Sequence, residues 1–202
     1  MENSTQNILT LCGKVDDYPV FSHESHDIKF FSFTLLTKRL SGAFDKIPVI
    51  ANEDVLSKAD IYLDRFIRID STLRSFNKKS ANGNKLIISA LAKEIIECDA
   101  EEYENMLELT GTVCKTPTYR KTPLGREICD LMLATNRKYG RSDYLPLILW
   151  GQNARRAADL CTGHMINLLG RLQSREYIKV IDGTESIRTT YEVSVSAFEK
   201  II

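Results

Sequence analysis

The chain has 202 residues, with 27 Lys+Arg against 27 Asp+Glu and 43% apolar residues; that suits one large domain or two of about 100 residues each, and argues against extended disorder. The longest clean apolar run, 145–150, is far below the roughly 18 residues of a membrane span, and the polar, acidic start at 1–7 lacks the basic region and apolar core of a signal peptide, so the expected address is cytoplasmic. Five cysteines, at 12, 98, 114, 129 and 161, form no CxxC and no zinc spacing, which leaves buried free thiols as the expectation and no metal site.

Hydrophobic patterning predicts strands at 8–15, 30–37 and 47–51, a helix over 53–63, and strands at 66–76 and 85–96. An acidic run, 97–104, follows. In the second half, Leu107, Leu109, Gly111 and Val113 alternate with polar residues, as a half-buried strand does. Cys129, Leu131, Leu133 and Thr135 share one face of the next strand. Residues 144–150 make a third, whose Pro146 suggests an edge or a bulge because proline cannot donate to a ladder. An alanine-rich helix at 152–160 stops before Gly163, and strands at 165–177 and 190–198 complete the unit. Gly170 marks a bend of the kind a small closing barrel needs. Five strands with a helix between the third and fourth is the order of an OB-fold barrel, so the expected class is all-β, with two tandem five-stranded OB barrels; a flat sandwich is the main rival, since periodicity alone does not show closure.

The two halves are one unit written twice. At an offset of 98, Asn7, Leu9, Leu11, Gly13 and Val15 fall on Asn105, Leu107, Leu109, Gly111 and Val113, and Pro19 meets Pro117. Leu35, Thr37, Arg39, Gly42, Asp45, Pro48 and Ile50 then meet Leu133, Thr135, Arg137, Gly140, Asp143, Pro146 and Ile148. After one extra residue Leu73 and Ser75 meet Leu172 and Ser174. Domains at 1–97 and 105–202 are expected, joined by an acidic linker at 98–104. The charge is split between them: residues 1–104 hold 13 Lys+Arg and 17 Asp+Glu, residues 105–202 hold 14 and 10. A neutral chain thus has an acidic first half and a basic second half.

The second unit resembles the bacterial single-stranded DNA-binding protein family. The resemblance is carried by Leu133-Ala134-Thr135-Asn136-Arg137, by 143–151, by Gly170-Arg171-Leu172-Gln173-Ser174-Arg175-Glu176-Tyr177 and by Tyr191-Glu192-Val193-Ser194-Val195. It implies non-sequence-specific binding of single strands by stacking bases on aromatic side chains, in DNA replication, recombination or repair. The four family positions are aromatic here: Tyr139, Tyr144, Trp150 and Tyr177. Each stacked base is worth about 1–3 kcal/mol. The phosphate contacts expected beside them are Arg120, Lys121, Arg137, Lys138, Arg141, Arg175 and Lys179. At the four corresponding positions the first unit has Ser41, Lys46, Asn52 and Lys78, with Phe44 and Phe76 out of register. It reads as a degenerate OB domain, a partner surface or spacer, although Lys38, Arg39, Lys46, Lys78, Lys79 and Lys85 could form a local patch.

The resemblance implies four OB domains per assembly, which a two-domain chain reaches as a homodimer. The family's acidic, partner-recruiting tail is not expected here, since the chain stops at Ile202. The residues do not separate DNA from RNA. His23 and His26 lie in a loop without cysteine neighbours, Asp16-Asp17 reads as a solvated turn, and no G-x-S-x-G, P-loop or H-E-x-x-H string occurs, so neither an enzyme nor a cofactor is expected. The alternative is an OB-fold protein-interaction or primosome-type assembly module that binds nucleic acid weakly or not at all.

Overall fold

The computed structural model describes residues 6–80, 83–98, 101–137, 140–181 and 184–201. Its first half runs β1 (Asn7–Val15), β2 (Val20–Ser25), β3 (Ile28–Lys38), β4 (Phe44–Asn52), α1 (Glu53–Leu56), β5 (Phe66–Ser80) and β6 (Gly83–Glu97). The second half repeats the order as β7 (Glu104–Val113), β8 (Thr118–Lys121), β9 (Glu127–Asn136), β10 (Ser142–Trp150), α2 (Gly151–Ala158), β11 (Met165–Ile181) and β12 (Thr184–Ile201). Among the described residues, no helix is long and apolar enough to cross a membrane.

The pairings close each half on itself. β1 pairs with β5, β5 with β6, β6 with β4 in parallel, β4 with β3, and the end of β3 returns to β1 at Lys14↔Leu36 and Val15↔Leu35. β7, β11, β12, β10 and β9 form the same cycle, closed at Thr112↔Ala134 and Val113↔Leu133. A sheet that closes has no free edge within the ring, and a ring in this strand order is the OB barrel. Closure requires two strands to approach closely. A Cβ on Gly13 would collide with the backbone oxygen of Leu36, and one on Gly111 would lie 2.6 Å from that of Ala134. The two repeated glycines therefore sit where each ring closes.

Inward positions fill the barrels: Leu9, Leu11, Leu35, Ile47, Val49 and Leu73 in the first, Leu107, Leu109, Leu133, Leu145, Leu149 and Leu172 in the second, all fully buried. Each such side chain contributes about 1.5–3 kcal/mol. The rings are joined edge to edge, because β1 also pairs antiparallel with β7 from Asn7↔Leu109 to Cys12↔Glu104. One sheet thus runs from β5 through β1 and β7 to β11. Its outer face exposes Ile8, Met106 and Leu169.

Four local expectations need correction. β2 and β8 are strands that hydrophobic alternation does not reveal, because all their residues are exposed. The helix expected at 53–63 is only Glu53–Leu56, capped by Asn52 through its side-chain oxygen (2.8 Å from Val55 N). Beyond it Ala59 and Ile61 pack on the core at a two-residue spacing, which no helix can present to one side. Pro146 is at neither an edge nor a bulge: it faces Met132 of β9, and the parallel pairing with β12 begins one residue later, at Leu147. Pro48 has the same place in β4. Of the cysteines, Cys12 and Cys129 are buried, Cys98 and Cys114 half-buried and Cys161 exposed, so burial does not hold for all five thiols.

Candidate nucleic-acid interface

Strand period fixes which side chains share a side of the second barrel. In β10, Asp143, Leu145, Leu147 and Leu149 point inward, and Tyr144, Pro146, Ile148 and Trp150 point out. Directly paired residues project to the same side. Tyr144 faces Ala134 and Trp150 faces Ile128 on β9, and Ile128 in turn faces Arg120 on β8. On the other flank Ile148 is level with Ser194 of β12, and β12 carries the same face to β11 through Ser194↔Arg171, Glu192↔Gln173, Thr190↔Arg175 and Arg188↔Tyr177. Tyr144, Trp150 and Tyr177 therefore lie on one continuous outer face, 48%, 39% and 43% exposed. Among the described residues, no other ring and no cation stacks on any of the three. Tyr139 and Lys138 lie outside the described residues, as does the side chain of Lys179.

The expected cations separate into two groups. Lys121 and Arg141 are exposed. Arg120 is exposed and pairs with Asp130 (2.8 Å), and Arg175 is exposed with Glu192 at 3.4 Å. The Arg120–Asp130 pair is a surface one, worth little and readily yielded to a competing phosphate, whereas the Glu192 side chain beside Arg175 is only 9% exposed. Arg137 differs. Its guanidinium grips the fully buried Asp143 in a forked pair, with Nε donating at 2.7 Å, while Nη2 also donates to the backbone oxygen of Ser75 (2.7 Å). It is a structural clamp and not a free phosphate contact. Arg188, opposite Tyr177 and exposed, belongs to the face although no sequence motif marks it.

The Arg137 clamp is one of a pair. Asp143 accepts from Ser75 N (2.5 Å) and Arg74 Nη1 (3.2 Å), and Tyr144 N donates to Ser75 Oγ (2.8 Å). In the mirror arrangement Asp45 accepts from Arg39 Nε (2.7 Å) and Nη2 (2.5 Å), and from Ser174 N (2.7 Å) and Oγ (2.8 Å), while Arg39 Nη2 reaches Ser174 O (2.7 Å). Each unit thus holds the other by a serine on its long hairpin. Burial pushes the Asp45 carboxyl up, but the hydrogen bonds from Arg39 and Ser174 outweigh it and hold the group below the usual carboxylate range. Tyr191, beside it, is pushed up by burial and by the Asp45 charge. The clamps were visible as repeated letters, Arg39/Arg137, Asp45/Asp143 and Ser75/Ser174, but nothing in a linear repeat says that they pair across units. They fix the strands bearing two of the rings: Tyr144 follows Asp143, and Tyr177 lies three residues beyond Ser174.

Among known proteins, the sequence profile described as "Single-strand binding protein family" matches residues 104–201. No curated protein matches the sequence significantly. Two crystal structures of the single-stranded DNA binding protein from Thermus aquaticus, the wild type and a deletion variant, superimpose with TM-scores of 0.78 and 0.77 at 19% identity. Both cover 98% of this chain, and the chain covers 94% and 95% of theirs. The N-terminal domain of PriB protein from Thermoanaerobacter tencongensis is 32% identical over 46% of this chain and 98% of its own, with a TM-score of 0.42.

Proposed function

From the chain's membership, through residues 104–201, of the single-strand binding protein family, we propose that it binds single-stranded DNA without sequence preference, on the outer face of the second barrel. The observation that carries this reading is the alignment of Tyr144, Trp150 and Tyr177 on one exposed sheet face. The chain is a binding protein and not an enzyme. Bases stack on these rings, and Arg120, Lys121, Arg141, Arg175 and Arg188 supply the phosphate contacts. Tyr139, Lys138 and Lys179 complete the set by their place in the sequence. Arg137 positions Tyr144 through Asp143. Every base has a π-face, so rings in a row read no sequence, and counterion release makes the affinity fall with salt. Single strands are preferred to duplex because stacking needs splayed bases. The role belongs to DNA replication, recombination or repair in the cytoplasm.

The proposal includes the division into units at 1–97 and 105–202 and a homodimer of four OB barrels. The exposed apolar side chains Ile8, Met106 and Leu169, on the face of the sheet that joins the two barrels, support the dimer. Light scattering at micromolar concentration tests it, and a monomer refutes it. For binding itself, oligo-dT and a duplex of equal length are titrated at low and high salt while the fluorescence of Trp150, the chain's single tryptophan, is followed. Quenching by oligo-dT that weakens with salt is expected. Equal affinity for the duplex would mean that the rings are not in use.

A further inference from the structure

Two of the four rings missing from the first unit, those at Asn52 and Lys78, have displaced counterparts. Asn52 holds the position corresponding to Trp150, but its side chain is occupied in capping α1. Its direct partner on β3 is Phe30, which projects to the same side of the sheet. On the next strand His23 faces Phe30, and the two rings stack, with centroids 4.9 Å apart and planes 6° apart. His23 is exposed, so the pair offers an open imidazole face backed by a benzene ring. Lys78 holds the position corresponding to Tyr177, yet Phe76 lies two residues before it. A shift of two along a strand keeps the face, and Phe76 is 49% exposed.

The charge of this face is opposite to that of its unit. Around Phe76 its strand positions on β3, β4, β5 and β6 hold Lys38, Lys46, Lys78 and Lys85, with Arg74 paired to Asp143; the outward carboxylates of β5 and β6, Asp70 and Glu94, face each other at the far end of those strands, at the irregularity between Asp70 and Ser71. Asp16 and Asp17, beside it, are committed to Lys46 (2.8 Å) and to the Thr34 N and Oγ1 groups (2.6 and 2.9 Å). The acidic excess lies elsewhere, on α1, on the opposite side of the sheet and around 97–104. The corresponding face of the second unit, by contrast, carries Asp130 and Glu192.

We propose that the first barrel carries a second stacking site for single-stranded nucleic acid, formed by the His23–Phe30 pair and Phe76 with Lys78 and Lys85 as phosphate contacts. It rests on the reading of the chain as a single-strand binder but not on the rings of the second unit. Both barrels then engage one strand, and the chain covers a longer stretch than one barrel could.

The test uses the full chain with a labelled oligo-dT read by anisotropy, in a short form of about 8 nucleotides and a long form of about 30, set by the roughly 4–16 nucleotides one OB fold covers. The variants are Phe76→Ala and the pair His23→Ser with Phe30→Leu, which keeps apolar volume under the sheet face while removing both rings; unchanged melting temperatures show that they fold. Affinity for the long oligonucleotide should fall about five- to hundredfold per stacking position removed. Fewer nucleotides should be covered per chain, and quenching of Trp150 by the short form should persist. Wild-type affinity and coverage in both variants would overturn the proposal. If Trp150→Ala and Tyr177→Ala bind like wild type while the first-unit variants fail, the second-unit site is wrong and this one stands.

Discussion

Replacing Asp45 by Ala should destabilise the chain by about 3–4 kcal/mol. The carboxylate is 1% exposed and accepts four hydrogen bonds, two from Arg39 and two from Ser174 of the other unit. Removing one member of a buried ion pair costs about 3–5 kcal/mol because the partner's charge is left uncompensated. Arg39 keeps partial access to water, with 27% of its side chain exposed, which places the expectation in the lower part of that range. For a chain of this size each kcal/mol moves the melting temperature by about 2–4 °C, so a fall of about 6–16 °C is expected by circular dichroism. The pH dependence has a definite sign. The folded-state pKa of Asp45 is held below its ordinary value, with the hydrogen bonds from Arg39 and Ser174 overcoming the upward push of burial. Its stabilisation is therefore complete above the unfolded pKa of about 3.9 and is lost as pH falls through the folded one. The gap between wild type and Asp45→Ala should be full at neutral pH and close in acid. A loss below about 1 kcal/mol at neutral pH, or a gap indifferent to acid, would refute the clamp.

Trp150→Ala should weaken binding to oligo-dT by about 1–3 kcal/mol with little change in melting temperature, read by anisotropy. Arg137→Ala should lower the melting temperature and leave the slope of log affinity against log salt nearly unchanged, whereas Arg141→Ala should reduce that slope by about 1 and leave stability alone. Gly111→Ala should destabilise by more than the few tenths typical of a surface change, because its Cβ would lie 2.6 Å from the Ala134 oxygen at the closure of the barrel; urea denaturation measures it. A thiol reagent at pH 8 should modify exposed Cys161 first and Cys12 last. Cys12 is pushed up to about 12 by burial, by its contact with the Cys98 thiol (3.5 Å between sulfurs) and by nearby Glu102 and Glu104. Mass spectrometry of the modified peptides gives the order.

Two kinds of information separate here. Alternation along a strand is local, so the β-class, the succession of five main strands along each unit and the outward-facing rings of β10 could be read from the residues. The internal repeat likewise marks Gly13 and Gly111 as equivalent before any contact is known. Which strand lies beside which is not local. The sequence alone determined that Tyr144 and Trp150 share a face, because their spacing is even. Only the pairing of β11 with β12, and of β12 with β10, brings Tyr177 onto it. Fully exposed strands such as β2 carry no periodic signal, so the stack of His23 on Phe30 could not be foreseen, and a search for rings at fixed offsets passes over a ring moved to the neighbouring strand. Net charge misleads for the same reason. A count over 104 residues averages opposite sides of a sheet, whereas a bound strand meets one side. Arg137 shows the limit most directly: its position in a basic segment suggests a phosphate contact, but Asp143 and the Ser75 carbonyl of the other unit take up its donors. That commitment is made by groups distant in sequence, which only the folded chain brings within hydrogen-bonding distance.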